Sequence, residues 1–184
     1  MRRTTVILMV ALVLAFGASA GELSIRRYPL PGHGDLLLPV PDAWQEQPPF
    51  GDSQPPTLTF VPKSGPAFVI LITPLWPNGG NAGEPDSVGL RANVERMARA
   101  AKKQAIEKTI PLQSLKGAAG VGYYFSATDR QPKPGEFRHL TQGALPLGDG
   151  VITFTVLTND GMDATVDAAL HLLEDCSLEK TSGT

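Results

Sequence analysis

Ala67-Phe68-Val69-Ile70-Leu71-Ile72-Thr73 (AFVILIT, residues 67–73) decides the fold. It is an apolar, β-branched run of strand length, with the turn signal Lys63-Ser64-Gly65 before it and Pro74 after it. Side chains alternate along a strand, so Phe68, Ile70 and Ile72 share one face while Val69 and Leu71 share the other. Both faces are apolar. This predicts a central strand covered on both sides by helices or loops.

Upstream, Leu36-Leu37-Leu38 reads as a strand stopped at Pro39-Val40-Pro41, and Asp42-Ala43-Trp44 as a turn with an aromatic plug. Residues 45–56 hold Pro48, Pro49, Gly51, Pro55 and Pro56 and read as a loop; Thr57 to Val61 is a strand ended by Pro62. Downstream, Pro74 to Pro85 (PLWPNGGNAGEP) is a second irregular loop. A helix from Asp86 or Ser87 to Lys108 places Leu90, Val94, Met97, Ala98, Ala101 and Ala105 on one face. Strands follow at Ile110 to Lys116 and, after the glycine-rich Gly117 to Gly122, at Tyr123 to Thr128. Small residues in that glycine-rich stretch suit a bulge or close packing against the helix. Phe137 to Leu147 and Val151 to Thr158 flank Gly148-Asp149-Gly150 and predict a hairpin. Asp163 to Asp175 closes the domain as a helix with Val166, Ala169, Leu170 and Leu173 inward and Asp160 or Asp163 as N-cap. The fold class this predicts is α+β: a mainly antiparallel sheet with helices on both faces.

The ends of the chain speak to location. Arg2 and Arg3, the apolar run Val6 to Phe16, and Ala18-Ser19-Ala20 form an export signal, so residues 1–20 are expected to be removed, leaving Gly21 first. Residues 21–34 then read as an N-terminal arm, 35–178 as one α+β domain and 179–184 as a disordered tail. The formal net charge of −2 includes the leader's two arginines, so the exported chain is more acidic still and draws no long-range attraction to nucleic acid. The Val6 to Phe16 run is too short to span a bilayer comfortably and no second apolar run approaches membrane length, so no stable membrane span is expected after cleavage. Cys176 is the one cysteine, so no internal disulfide forms; it reads as a small packed residue at a helix end.

Several of these features resemble the PsbP-like superfamily. They are the Leu-Pro-Val-Pro-Asp-Ala-Trp segment (residues 38–44), the long helix after a two-sided strand, the Tyr123-Tyr124 strand, and the hairpin before a closing helix. That superfamily includes the extrinsic oxygen-evolving protein of photosystem II, a nuclear Ran-binding import factor and DcrB-type bacterial envelope proteins. The resemblance implies a non-catalytic binding or assembly role, and no metal or Ran-contact residue transfers to a position here.

The chain offers no readable catalytic motif. His33, His139 and His171 lack metal-ligand spacing, so no metal or cofactor is expected. There is no G-x-S-x-G, and the Gly117 to Gly122 run lacks the following helix that a phosphate cradle needs. Cys176 and His171, five apart on a helix, do not face each other. Arg91, Arg96, Arg99, Lys102 and Lys103 outnumber Glu95 and Glu107 on the outer side of the long helix. This is an ordinary solvated face or, as the functional alternative, a surface for an anionic partner through Arg96, Arg99 and Lys103. Trp76, beside the Asn78-Gly79-Gly80 loop, is a candidate contact. Arg138 and His139 form a polar hairpin end. The expectation is an exported, monomeric binding or accessory protein, periplasmic, that contacts another envelope or secreted protein through its loops. The alternative is a small ligand-binding protein or enzyme with a pocket under the 74–85 loop, drawing on Arg138 and His139.

Overall fold

The computed structural model describes residues 22–48, 57–76 and 87–180. The expected leader with its cleavage point, residues 49–56 and 77–86 of the two proline-rich loop regions, and residues 181–184 lie outside the described residues. In chain order the elements are β1 (Leu23–Leu30), β2 (Gly34–Pro41), β3 (Trp44–Gln47), β4 (Leu58–Pro62), β5 (Val69–Leu75), α1 (Ser87–Ala101), β6 (Gln113–Gly117), β7 (Gly120–Thr128), β8 (His139–Leu147), β9 (Gly150–Thr158), α2 (Asp163–Glu174) and β10 (Ser177–Glu179). Seven strands make one sheet in the order β3-β4-β5-β9-β8-β7-β6; three make a second, β1-β2-β10. Every strand pair is antiparallel, so the chain is α+β with mainly antiparallel sheets.

β5 is central, between β4 and β9, but the two faces of the strand differ. Ile70 and Ile72 are fully buried, whereas Val69 and Leu71 are half-buried. The expected cover on both sides therefore holds for one face only. The reason lies in where the helices sit. Leu90, Val94 and Ala98 of α1 cluster with Phe125, Ala127 and Ala144, on β7 and β8 and away from β5. Ala169, Leu172 and Leu173 of α2 cluster with Ile70, Ile72, Leu145, Ile152 and Phe154 and with Leu36, Leu38 and Val40 of the small sheet. Ala144 and Leu145 are neighbours on β8, so they point to opposite faces. The first belongs to the α1 cluster and the second to the α2 cluster.

The expected arm at 21–34 is largely strand. Leu23 to Leu30 pairs residue by residue with Pro41 to Gly34, turning through Gly32 at φ 83°. Its alternation is masked in the sequence by the consecutive Arg26 and Arg27, yet Tyr28 and Leu30 reach the core. The expected tail likewise contributes Glu179 to β10, opposite Asp35. α1 ends at Ala101, short of Lys108, and Ala105 is instead buried in a bridge with Asp129. The β8–β9 loop is Gly148-Asp149, with Gly148 at φ 58° as a II′ turn requires, and Gly150 already pairs with Leu147. At Gly122 a Cβ would stand 2.4 Å from the Leu145 Cβ, so the glycine-rich hairpin packs closely on β8 and not on the helix. α2 has Met162 at its N-cap and no side-chain cap, so neither Asp160 nor Asp163 fills that role; Asp163 is the first helical residue.

Cys176 is 2% exposed, and burial pushes its thiol up to about 12. A thiol held protonated and out of water is a poor nucleophile. Cys176 is expected to resist a thiol reagent at pH 8 in the native protein and to react fully on unfolding in urea. Rapid labelling without denaturant would contradict the packing of the α2–β10 corner.

Candidate functional site

Three segments meet at the end of the large sheet where β8 begins and β9 finishes. The first is the turn after α1, where the Ala105 amide donates to the Ala101 carbonyl at 3.2 Å. The second is the loop between β7 and β8, tied back by Asp129 N–H to Arg138 O at 2.8 Å and by Arg130 N–H to Gln104 O at 2.9 Å. The Arg130 guanidinium also donates to the Ala105 carbonyl at 2.8 Å. The third is the Asn159-Asp160 turn, whose Asn159 Oδ1 accepts from the Arg138 amide at 3.2 Å.

His139 sits at the centre. Its Nε2 lies 2.7 Å from Asp160 Oδ1 and its Nδ1 lies 3.3 Å from Thr128 Oγ1. Arg138 Nε approaches the same Asp160 oxygen at 3.6 Å. Both Glu107 carboxylate oxygens accept from the Thr128 amide at 3.0 Å. The sequence hydroxyl–imidazole–carboxylate has the order of a proton relay, but Asp160 is 74% exposed, so its charge is solvated and orients nothing within a dry site. Chemically the cluster is a clamp that joins β7, β8 and the turn into α2.

Open grooves flank this clamp. One of about 700 Å³ runs between Lys103, Gln104, Arg130, Lys133 and Phe137. A second of about 190 Å³ shares Gln104 and Phe137 with it and reaches Arg138 and His139. On the other side, about 170 Å³ is lined by Ser126, Thr141, Thr158, Glu107 and His139, with Ser126 Oγ and Thr141 Oγ1 2.8 Å apart. Charges of both signs ring the largest groove, since Asp129 and Glu136 join the three basic side chains.

The fold thus brings Lys103, Arg138 and His139 to one end of the molecule. Arg96 and Arg99 remain along α1. Arg96 donates to Asn93 Oδ1 at 2.7 Å, and Arg99 stands 3.9 Å from Glu95, which also holds Arg91. Trp76 is at the opposite sheet end, stacked on His33 at 3.9 Å between ring centres, with its N–H donated to Asp149 at 3.1 Å. The 74–85 loop springs from Trp76 beside Gly150, while His139 pairs with Thr158 at the far end of the nine-residue β9. At a strand rise of about 3.3 Å per residue, these ends are roughly 25 Å apart. Glu107, Thr128 and Asp160 were missed by sequence reasoning. Asp160 was legible only as a turn or cap, and nothing local couples it to a histidine 21 residues away.

The electrostatics have a consequence for stability. The His139 hydrogen bond, aided by Arg138, holds the Asp160 carboxyl below the usual carboxylate range. Burial pushes the Glu107 carboxyl up, but its bonds from Thr128, with further hydrogen bonding and the nearby His139, outweigh that and leave it lowered overall. A carboxyl lowered in the fold adds stability above its unfolded value, near pH 4, and loses it as pH falls through the lower folded value. On account of these two groups, stability is expected to be level from about pH 7 to 5 and to fall below about pH 4. Glu107→Gln should remove part of that acid limb. Chemical denaturation across pH measures it, and an unchanged limb in the variant would contradict the assignment.

Together these features define an α+β domain of antiparallel sheets with an open polar cleft at one sheet end. Among the described residues no helix is long and apolar enough to cross a membrane, and no group of three or more His, Cys, Asp or Glu could hold a metal ion. No family model and no curated protein matches the chain. In fold it is similar to cyanobacterial PsbP (CyanoP) from Synechocystis sp. PCC 6803, whose solution structure aligns at 17% identity over 90% of this chain and 99% of that one, with a TM-score of 0.49.

Proposed function

We propose that this chain is an exported binding or accessory protein of the cell envelope that meets a protein partner at the β8-start end of its large sheet. The observation that supports this reading is the convergence of the turn after α1 and the β7–β8 loop, beside Leu157 of β9, on one open groove of about 700 Å³ with charges of both signs at its rim. Loops held by a rigid sheet are where contacts concentrate, and a mixed-charge rim selects orientation and partner. Lys103, Arg138 and His139 contribute to this surface; Arg96 and Arg99 extend it along α1. Trp76 belongs to a separate surface at the other sheet end. Arg138 and His139 sit a sheet length from Trp76, where the 74–85 loop leaves β5, and so support this surface rather than one beside Trp76.

Export rests on Arg2, Arg3, the apolar run and the Ala18-Ser19-Ala20 site. Intact-mass measurement of the protein recovered from the host envelope is expected to give a chain starting at Gly21. A species keeping residues 1–20 would overturn release in soluble form. For the partner, affinity capture from envelope extract is expected to return a reproducible protein with wild type and to lose it with Lys103→Glu/Lys133→Glu at an unmoved melting temperature. No reproducible partner would sink the proposal, and undiminished capture by the variant would move the contact elsewhere.

A further inference from the structure

We infer that β1 pairs edge to edge with β1 of a second copy, making an antiparallel dimer centred on Ser24. Among the described residues β1 ends the small sheet, with β2 on one side and no strand on the other. The backbone on that open side can be assigned. Leu23 and Ile25 stand opposite Pro41 and Pro39, which have no N–H to give, while the Glu22 carbonyl accepts from the Asp42 amide at 2.8 Å. In an antiparallel ladder the direction of the polar groups alternates. Glu22, Ser24 and Arg26 therefore turn their N–H and C=O toward β2, and Leu23, Ile25 and Arg27 turn theirs to the open edge.

The side chains at this edge are unusual for one left bare. Leu23 is 58% and Ile25 66% exposed, on the same face. Native edges are usually blunted by charge or proline. Here the nearest charge on that face, Arg27, is already taken up by Asp35 at 2.6 Å and Glu179 at 2.5 Å. Pro29 comes only at the strand's end.

The edge is complementary to itself in one register. With Ser24 opposite Ser24 of the second copy, Leu23 meets Ile25 across the seam on the exposed face. Both present outward backbone groups, so each of the two symmetric Leu23–Ile25 pairs exchanges two hydrogen bonds. On the other face Glu22 meets Arg26; the Arg26 guanidinium lies over Phe60 and donates to the Trp44 carbonyl at 3.1 Å, but among the described residues neither side chain is in an ion pair within its own chain. Sliding the pairing by one residue aims outward groups at inward ones. Placing Ile25 opposite Ile25 puts Leu23 against Arg27, and the next allowed step puts Arg26 against Arg26. Charge complementarity and apolar pairing thus select a second copy at a single register. Five paired residues form a small interface, so the dimer belongs in the micromolar range.

The test uses the protein purified after expression of the full chain. Sedimentation equilibrium is expected to show a reversible monomer–dimer equilibrium at micromolar concentration. Ile25→Pro removes an outward N–H that no bond uses among the described residues, so it should weaken association at least about tenfold with an unchanged melting curve. Glu22→Lys, a second variant outside the core, should weaken it similarly at low salt, with the difference shrinking as salt rises. Ser24→Cys should cross-link to a disulfide dimer, since residues at a non-hydrogen-bonded antiparallel pair lie about 4.5 Å apart between Cα atoms. Val121→Cys, exposed elsewhere, should not cross-link. A monomer throughout the concentration range overturns the inference. So does a dimer that survives both Ile25→Pro and Glu22→Lys without Ser24→Cys cross-linking.

Discussion

Ile70→Ala is expected to lower stability by about 2–5 kcal/mol in a urea melt, as removal of buried aliphatic groups from a rigid core does. Ile70 is wholly buried, and its cross-strand neighbours Phe60 on β4 and Val156 on β9 are wholly buried too. The missing atoms leave a cavity that the sheet cannot close, because hydrogen bonding on both sides of β5 fixes the spacing of its neighbours. A neighbouring control sharpens the result. Leu71→Ala, one step along the strand on the half-buried face, should cost clearly less. Equal losses at both positions, or a loss at Ile70 under about 1 kcal/mol, would contradict the one-sided cover of β5.

Phe154→Ala is expected to cost about 3–5 kcal/mol. The ring is 1% exposed and lies on β9 between Ile72 and Gly143 of the flanking strands. Gly143 makes room for it: a Cβ there would stand 2.7 Å from Phe154 Cζ and 2.4 Å from the Tyr123 carbonyl oxygen. Gly143→Ala alone should therefore destabilise by overpacking, by about 1–3 kcal/mol. The two changes should not add. Removing the ring relieves one of the clashes, so Gly143→Ala should cost less in the Phe154→Ala background. Strict additivity in that double-mutant cycle would show that Gly143 is constrained by the backbone of β7 and not by the ring.

The elements themselves were legible because their signals are local. Phe68 to Thr73 showed its alternation, the spacing of Leu90, Val94 and Ala98 showed a helical face, and Gly148-Asp149 showed a hairpin. Errors came where local signals competed. Arg26-Arg27 hid the alternation of β1, so a strand read as an arm. Helical periodicity continued past Ala101 to Ala105, although that alanine is buried by a bridge to Asp129 and not by helix packing. Half of the candidate site was named in advance, as Arg138, His139 and Lys103. Their partners Glu107, Thr128 and Asp160 were not.

The sequence alone determined both helices and the strands β2 and β4 to β9 in outline, that the sheet is mainly antiparallel, and that Ile70 is buried. Those properties follow from side-chain periods of two and 3.6 residues, which neighbouring residues report by themselves. Tertiary structure alone decided the strand order, which face of β5 is covered, and which polar residues meet. Trp76 bonds to Asp149, 73 residues away, and His139 meets Asp160 across the end of the sheet. Such pairs depend on register between distant strands and on where α1 and α2 come to rest, and those are settled only when the whole apolar surface is buried at once.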